Sequence, residues 1–282
     1  MKSNSYPELD VVSISDTRNA IHAYSRVLGN CLKAFRPKRK HWWHASLRPS
    51  LRGLSTGIVR ASTDFEIEID LLRGSLMFRT ADGNENNIDL LGQPAVQVAS
   101  FIVEALNASS IDDAGIQKIA TAEHSTVSYP DYRKDSAAQL GDLLAKVSAE
   151  LETFRAGIHE ESSPVQLWPH HFDLSMIWLP GELIDGQDTN NEEYADKQMN
   201  FGFSLGDDAN PEPYFYVSAY PASDALAATA LPAGSAWSSS GFNGVVLRYG
   251  DLVAVDNPSA YLQGLWSLMI SAGRKHMLAD IR

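Results

Sequence analysis

The sequence predicts an α+β fold in which antiparallel sheets are packed against helices. The strand signal is clearest at Phe65-Glu66-Ile67-Glu68-Ile69-Asp70-Leu71, where apolar and acidic residues alternate strictly, so that Phe65, Ile67, Ile69 and Leu71 share one face. The helix signal is clearest at Leu140, Leu144, Val147, Leu151, Phe154 and Ile158, whose spacings of 4, 3, 4, 3 and 4 draw a continuous apolar seam. Along the chain the coarse order is helix, about four strands, helix, and then the same again.

In chain order, the spacing of Ile21, Tyr24, Leu28, Cys31 and Phe35 predicts a helix over residues 16–35, capped by Asp16 or Thr17 and stopped by Pro37. Short strands are expected at 45–50 and 54–59 around Arg52-Gly53, then at 65–71, 76–79 and 87–90, forming a meander with one wet face on which Glu66, Glu68 and Asp70 are solvated. Pro94 opens a second helix through Val98, Phe101, Ile102 and Leu106. Residues 109–134 read as a polar connection before the long helix that begins near Asp135 or Ser136. Further strands are expected at 164–168, 172–179, 199–203, 214–220 and 245–247, with an acidic surface loop over 181–198 and a final helix opening at Asn257-Pro258. Leu262, Leu265, Trp266, Met269 and Ile270 form the buried stripe of that last helix.

A chain of 282 residues fits one large unit or two intimate halves, and we expect an N-terminal half over 1–130 and a C-terminal half over 131–282, tightly packed together. Leu32-Lys33-Ala34-Phe35-Arg36 and Leu151-Glu152-Thr153-Phe154-Arg155 are alike, each followed by tryptophan and histidine. They point to two pseudo-repeated helix-β4-helix halves. No apolar stretch reaches the length of a membrane span and the start lacks an apolar signal core, so the expectation is a cytoplasmic protein without membrane contact. The single cysteine, Cys31, excludes a disulfide framework and a thiolate metal site, and its place among Tyr24, Leu28 and Phe35 makes it a small core residue.

The net charge of −12 argues against nucleic acid as a partner, since recognition of its backbone needs clustered positive charge. That average hides an asymmetry. Residues 17–63 contain no acid and ten basic residues, Arg18, Arg26, Lys33, Arg36, Lys38, Arg39, Lys40, Arg48, Arg52 and Arg60. Such an island can hold an anionic ligand by its summed field, or pair internally with acidic segments. Within it lies His41-Trp42-Trp43-His44, where two imidazoles and two indoles directly follow the basic run 36–40. A second histidine cluster, His170-His171 with Asp173, follows Trp168. In an extended chain His171 and Asp173 share a face and His170 points away. Three or four nitrogen and oxygen ligands drawn from His41, His44, His171 and Asp173 would suit zinc or another divalent metal, although no HExxH or HxxEH spacing is present. There is no P-loop, no GxGxxG and no GxSxG elbow.

His41-Trp42-Trp43-His44, Arg52-Gly53-Leu54-Ser55-Thr56, Phe65-Glu66-Ile67, the run Ser163-Pro164-Val165-Gln166-Leu167-Trp168-Pro169-His170-His171-Phe172-Asp173-Leu174 and Phe215-Tyr216-Val217-Ser218-Ala219-Tyr220-Pro221 occur in that order. Together they resemble an uncharacterised bacterial family of unknown function, and the resemblance covers most of the chain. It implies no activity, cofactor or catalytic residue. Versions of the family pattern carry histidine where this chain has Gln166 and lack the His170-His171 pair, which puts a metal site on those two histidines in doubt and favours His41 and His44.

The leading expectation is a site for a small anionic molecule bordered by His41, Trp43, His44, Arg48 and Arg52, with His171, Asp173 and Tyr220 as further candidates. The alternatives are a metal-dependent hydrolase using His41 or His44 with His171 and Asp173, and a non-enzymatic interaction module in which the basic island meets an acidic partner.

Overall fold

The computed structural model describes residues 6–277 apart from residues 112, 192, 207–209 and 240–242. The chain opens with helix α1 (Ser15–Phe35) and a kinked 3-10 stretch at Lys40–Ala45. Strands β1 (Arg48–Pro49), β2 (Gly53–Ser55), β3 (Phe65–Asp70), β4 (Ser75–Thr80) and β5 (Glu85–Asp89) follow, then helices α2 (Ala95–Ala108), α3 (Asp113–Thr121) and α4 (Lys134–Ala156). The next strands are β6 (Glu161–Ser162), β7 (Gln166–Trp168), β8 (Asp173–Leu179), β9 (Gln198–Ser204) and β10 (Tyr214–Tyr220). Helix α5 (Asp224–Ala227), strands β11 (Ser235–Ser238) and β12 (Gly244–Arg248), and helices α6 (Tyr249–Val253) and α7 (Pro258–Met277) complete it. The expected α+β class, with antiparallel sheets and packed helices, is what the structure has.

The chain packs as two compact units. The first comprises Glu8–Ala145 and Gln166–Phe172, the second Met1–Pro7, Lys146–Val165 and Asp173–Arg282. Helix α4 therefore gives its first half to one unit and its second half to the other, and β7 belongs with the first.

In the first unit the sheet is a plain antiparallel meander, β1-β2-β3-β4-β5. The alternation of β3 sets its register. Ile67 faces Phe78 and Ile69 faces both Leu76 and Leu54, all of them buried. Helix α1 covers this face through Phe35, whose ring meets Phe65 edge-on at 5.1 Å. Its inner stripe of Ile21, Tyr24, Leu28 and Cys31 has no measurable exposure. Burial pushes the Cys31 thiol up to about 12, which makes it the inert core residue expected.

Local reading was off in two places. Asp16 and Thr17 do not cap α1, which starts a residue earlier with Ile14 at its N-cap and no side-chain bond there. Their oxygens instead accept the backbone N–H groups of Asp131 at 3.1 Å and Arg133 at 3.0 Å, and so fix the chain just before α4. The polar connection contains α3, which buries Ile116 and Ile119. Its Gly115 reads as a helix breaker, yet a side-chain carbon there would lie 2.5 Å from the Phe35 ring. The glycine is what lets α1 and α3 approach.

The acidic side of β3 is only partly wet. Asp70 is 1% exposed, and Arg52 reaches it with Nε at 2.8 Å and Nη2 at 2.5 Å, while the Arg73 amide donates to its other oxygen at 2.9 Å. Glu68 takes Arg79 at 3.1 Å and Glu66 accepts the Ser55 hydroxyl at 2.5 Å.

In the second unit the sheet runs β11-β12-β10-β9-β8-β6, antiparallel throughout. Phe154 from the second half of α4 lies 4.8 Å from Phe201 and 5.4 Å from Trp266 of α7. The predicted stripe of α7 is buried in full. Glu160 and Arg274 form a twofold ion pair at 2.6 and 2.7 Å, which holds the Glu160 carboxyl down at about 2. The loop over 181–198 is largely exposed and is pinned at its base by Lys197 on Glu182 at 2.5 Å; its Glu192 lies outside the described residues. The two sheets differ in strand number and order, so the topology lends no support to a strand-for-strand duplication. Among the described residues, no helix is long and apolar enough to cross a membrane.

Removing one partner of a buried ion pair leaves the other uncompensated. Arg52→Ala, which strands the buried Asp70 carboxylate, should therefore lower the unfolding free energy in urea by about 3 kcal/mol, while Asp70→Ala, which leaves an arginine that is 39% exposed and can be hydrated, should cost less. Equal and small losses in both variants would refute the pair as a structural anchor.

Candidate functional site

The His41-Trp42-Trp43-His44 block lies just beyond the C-terminal end of α1, and its backbone is unusual. His41 (φ 54°, ψ 25°) and Trp42 (φ 54°, ψ 20°) are consecutive left-handed residues, and neither is glycine. Each such residue costs about 1–2 kcal/mol, so the surroundings must enforce the shape. The reversal brings side chains two apart into contact. His41 lies 5.4 Å from Trp43, and His44 stacks on Trp42 at 5.6 Å with 26° between the planes. Lys38 Nζ adds a cation 5.7 Å from the centre of the Trp42 ring. His41 and His44 are 6% and 5% exposed, and the two indoles are half-buried.

Hydrogen bonds help to hold this shape. The backbone N–H of Arg39 donates to His44 Nδ1 at 3.2 Å, so the neutral ring carries its proton on Nε2. The Ser46 hydroxyl lies 3.0 Å from the Trp43 carbonyl and 2.6 Å from Gln166 Oε1. Leu47 and Leu167 exchange backbone bonds, each at 2.9 Å, so β7 is tied directly to the end of the block. The segment carrying the second histidine cluster thus belongs to the same unit as the first cluster. Gln166 Nε2 and Trp43 Nε1 are buried N–H donors without a protein acceptor among the described residues.

Beside the block sits a pair of arginines. Gly57 turns in the left-handed region at φ 61°, and a side-chain carbon there would lie 3.9 Å from Arg48 Cγ and 4.0 Å from Arg36 Nη2. Both arginines therefore flank the bare glycine. Arg36 Nη2 donates to the carbonyls of Thr56 at 2.6 Å and Ile58 at 3.3 Å. Among the described residues no carboxylate pairs with Arg36, and its Nε–H and Nη1 groups have no protein acceptor. Burial first, and then the positive charge of Arg48, lower its pKa from the ordinary value.

The other candidates fall elsewhere. Arg52 is engaged by Asp70. His171 is exposed, with its ring 4.3 Å from that of His170. Asp173 and Tyr220 belong to the second unit. There Asp173 opens β8 and accepts the phenol proton of Tyr216 from β10, across Gly202 of β9. Burial and the Asp173 charge raise the Tyr216 pKa well above the ordinary tyrosine value, so the phenol stays a donor. Tyr220 packs on Tyr194 at 4.9 Å. Among the described residues, no three histidine, cysteine, aspartate or glutamate side chains are grouped to hold a metal ion.

Sequence reasoning missed His22. It sits on α1 beside the apolar stripe, a position that reads as ordinary helix surface. In the structure its ring lies parallel to Phe172 at 5.0 Å and 9°, and its Nε2 is buried without a hydrogen-bond partner among the described residues. Phe172 is itself left-handed at φ 58°. Burial, then the nearby Arg26 charge, lowers the His22 pKa below 6.5. The unfolded chain thus takes up a proton below about pH 6.5 that the folded chain resists. Stability should be complete above that pH and fall as the pH drops through the lowered value. Urea unfolding of His22→Phe, which keeps the stack, should show a shallower loss between about pH 7 and 5; an unchanged slope would refute this.

No curated protein and no solved structure matches the chain. A family model matches residues 6–276, almost its whole length. The chain therefore belongs to the family of unknown function DUF5996.

Proposed function

We propose that the first unit binds a small anionic molecule at the corner formed by Arg36, Arg48 and Gly57, beside the His41-Trp42-Trp43-His44 block. The observation that carries this reading is Arg36, a half-buried guanidinium whose hydrogen bonds among the described residues go to backbone carbonyls and whose pKa is lowered by burial and then by the charge of Arg48. A partly desolvated cation facing a like charge is unfavourable unless an anion completes it. The buried N–H groups of Trp43 and Gln166 are further donors in the adjoining block, and the donors fit an acceptor-rich ligand. Relative to the sequence expectation, the anchor moves from Arg52, which neutralises Asp70, to Arg36. The left-handed turn at His41 and Trp42 supports the same reading, because strain of this kind concentrates where side chains must be held in one arrangement.

The test is a thermal melt with citrate and with pyrophosphate, each against sodium chloride of equal ionic strength. A ligand at a hundredfold excess over its Kd stabilises the folded state by about 2.7 kcal/mol, a rise in Tm of a few degrees. We expect such a rise in the native protein and its loss in Arg36→Gln and in Arg48→Gln. Arg48 is exposed, so that variant leaves the fold intact. A rise matched by the chloride control, or retained in both variants, would sink the proposal.

A further inference from the structure

We propose a second binding site, within the second unit, that takes the alkylammonium groups of a small di- or polyamine at Gln198 and the Tyr194–Tyr220 ring pair. It is independent of the anion site above and opposite to it in charge. The observation that carries it is an orphaned acceptor. Gln198 is 9% exposed, and its Oε1 is buried without a hydrogen-bond partner among the described residues. Its Nε2 donates to the Glu193 carbonyl at 3.1 Å. That bond also fixes which end of the amide is which, because turned over it would set oxygen against oxygen with no proton between them. The missing partner is therefore a donor, and a bound N–H recovers what an unsatisfied buried acceptor costs.

The fold places this amide beside two aromatic rings. Gln198 opens β9 and stands directly across from Tyr220 of β10, so their side chains leave the sheet on the same face. Tyr194 packs on Tyr220 with 4.9 Å between ring centres and 53° between planes. The turn that carries Tyr194 is tied down at two points. Asn191 Oδ1 accepts the N–H groups of Glu193 and Tyr194 at 2.9 and 2.8 Å, and Gln198 takes the Glu193 carbonyl. The amide thus stands between Tyr220 and the Glu193-Tyr194 turn. Tyr194 is 44% exposed and is the outermost of the three, so a ligand reaches the amide oxygen past its ring.

The local field decides the sign of the ligand. Residues 181–198 carry six carboxylates against one cation, Lys197. Lys197 is engaged within the fold, by Glu182 at 2.5 Å and the Met277 carbonyl at 3.1 Å. Asp185, Asp188 and Glu193 are exposed. A neutral donor would satisfy Gln198 and gain nothing from this field, whereas an ammonium uses the acceptor, the aromatic rings and the carboxylates together. A second ammonium on the same ligand gains from the field again. A metal ion is a poorer match, since among the described residues no three metal-ligating side chains are grouped to hold one and aromatic faces suit an organic cation.

Calorimetric titration at constant ionic strength tests this with four probes: 1,4-diaminobutane, its fully N-methylated quaternary analogue, calcium chloride and an oligolysine peptide. The quaternary analogue keeps both charges and has no N–H. We expect diaminobutane to bind and the analogue to bind roughly tenfold more weakly, because it brings no proton to Gln198 Oε1. Tyr194→Leu, at an exposed position, should weaken diaminobutane roughly tenfold, while Tyr194→Phe, which keeps the ring, should stay within about twofold of the native protein. Gln198→Leu should bring the two dications to comparable affinity. Equal binding of both dications to the native protein, or undiminished binding of diaminobutane to Tyr194→Leu, would overturn the assembled site and leave only attraction to an acidic loop. No response to diaminobutane would overturn the amine assignment outright; binding of calcium alone would then give the loop to a metal, and binding of oligolysine alone would give it to a protein partner.

Discussion

Charge must be compensated before it can be buried, and the first unit is arranged around that requirement. Its N-terminal stretch brings ten cations and no anion into a structure whose sheet must pack against α1. Strand β3 supplies part of the answer. Its outward acids are drawn into the fold, with Asp70 closing on Arg52 and Glu68 on Arg79. Surface ion pairs are worth little, but an aspartate with almost no exposure cannot be left unpaired, so the Arg52 turn and the end of β3 are locked together. That lock fixes where β1 and β2 lie, and with them Arg48. Compensation stops short of Arg36, and the corner beside Gly57 is where it stops.

The histidine-tryptophan block shows how a costly local conformation is held by tertiary contacts. Left-handed geometry at two successive bulky residues is opposed by sterics and would not persist in an isolated peptide. The Arg39 amide on His44, the Ser46 hydroxyl between Trp43 and Gln166, and the paired backbone of Leu47 and Leu167 act at three separate points along residues 39–47. On the other side of the same segment, Phe172 is left-handed as well and is matched by the parallel ring of His22. Both motif blocks are thus strained, and each is braced by a partner distant in sequence.

How much of this could be read from the residues depended on whether the signal was local. The alternation of β3, the seam of α4 and the stripe of α7 are periodic patterns, and the elements appear where the patterns place them. Helix α3 was hidden because its Gly115 serves a neighbour, Phe35, that no local pattern reveals. The oxygens of Asp16 and Thr17 looked like caps and proved to be long-range acceptors. At the candidate site, the block and its basic surround were legible from composition alone. The division of labour between arginines was not. Arg52 and Arg36 are equivalent in sequence terms, and only the register of β2 with β3 assigns one of them to Asp70.

The interleaving of the two units also sets an order of events during synthesis. Residues 8–145 leave the ribosome first, yet the piece that completes their unit, Gln166–Phe172, follows only after the second half of α4 and the short strand β6 have been made. Until then Leu47 has no strand to pair with, Ser46 has no Gln166 and His22 faces no Phe172. Vectorial folding from the N-terminus can form the β1–β5 meander early, since its pairings are between neighbours in sequence. The strained turn at His41 and Trp42 is a late feature by the same reasoning, set once the chain has doubled back. No contiguous fragment ending before residue 172 contains it in finished form.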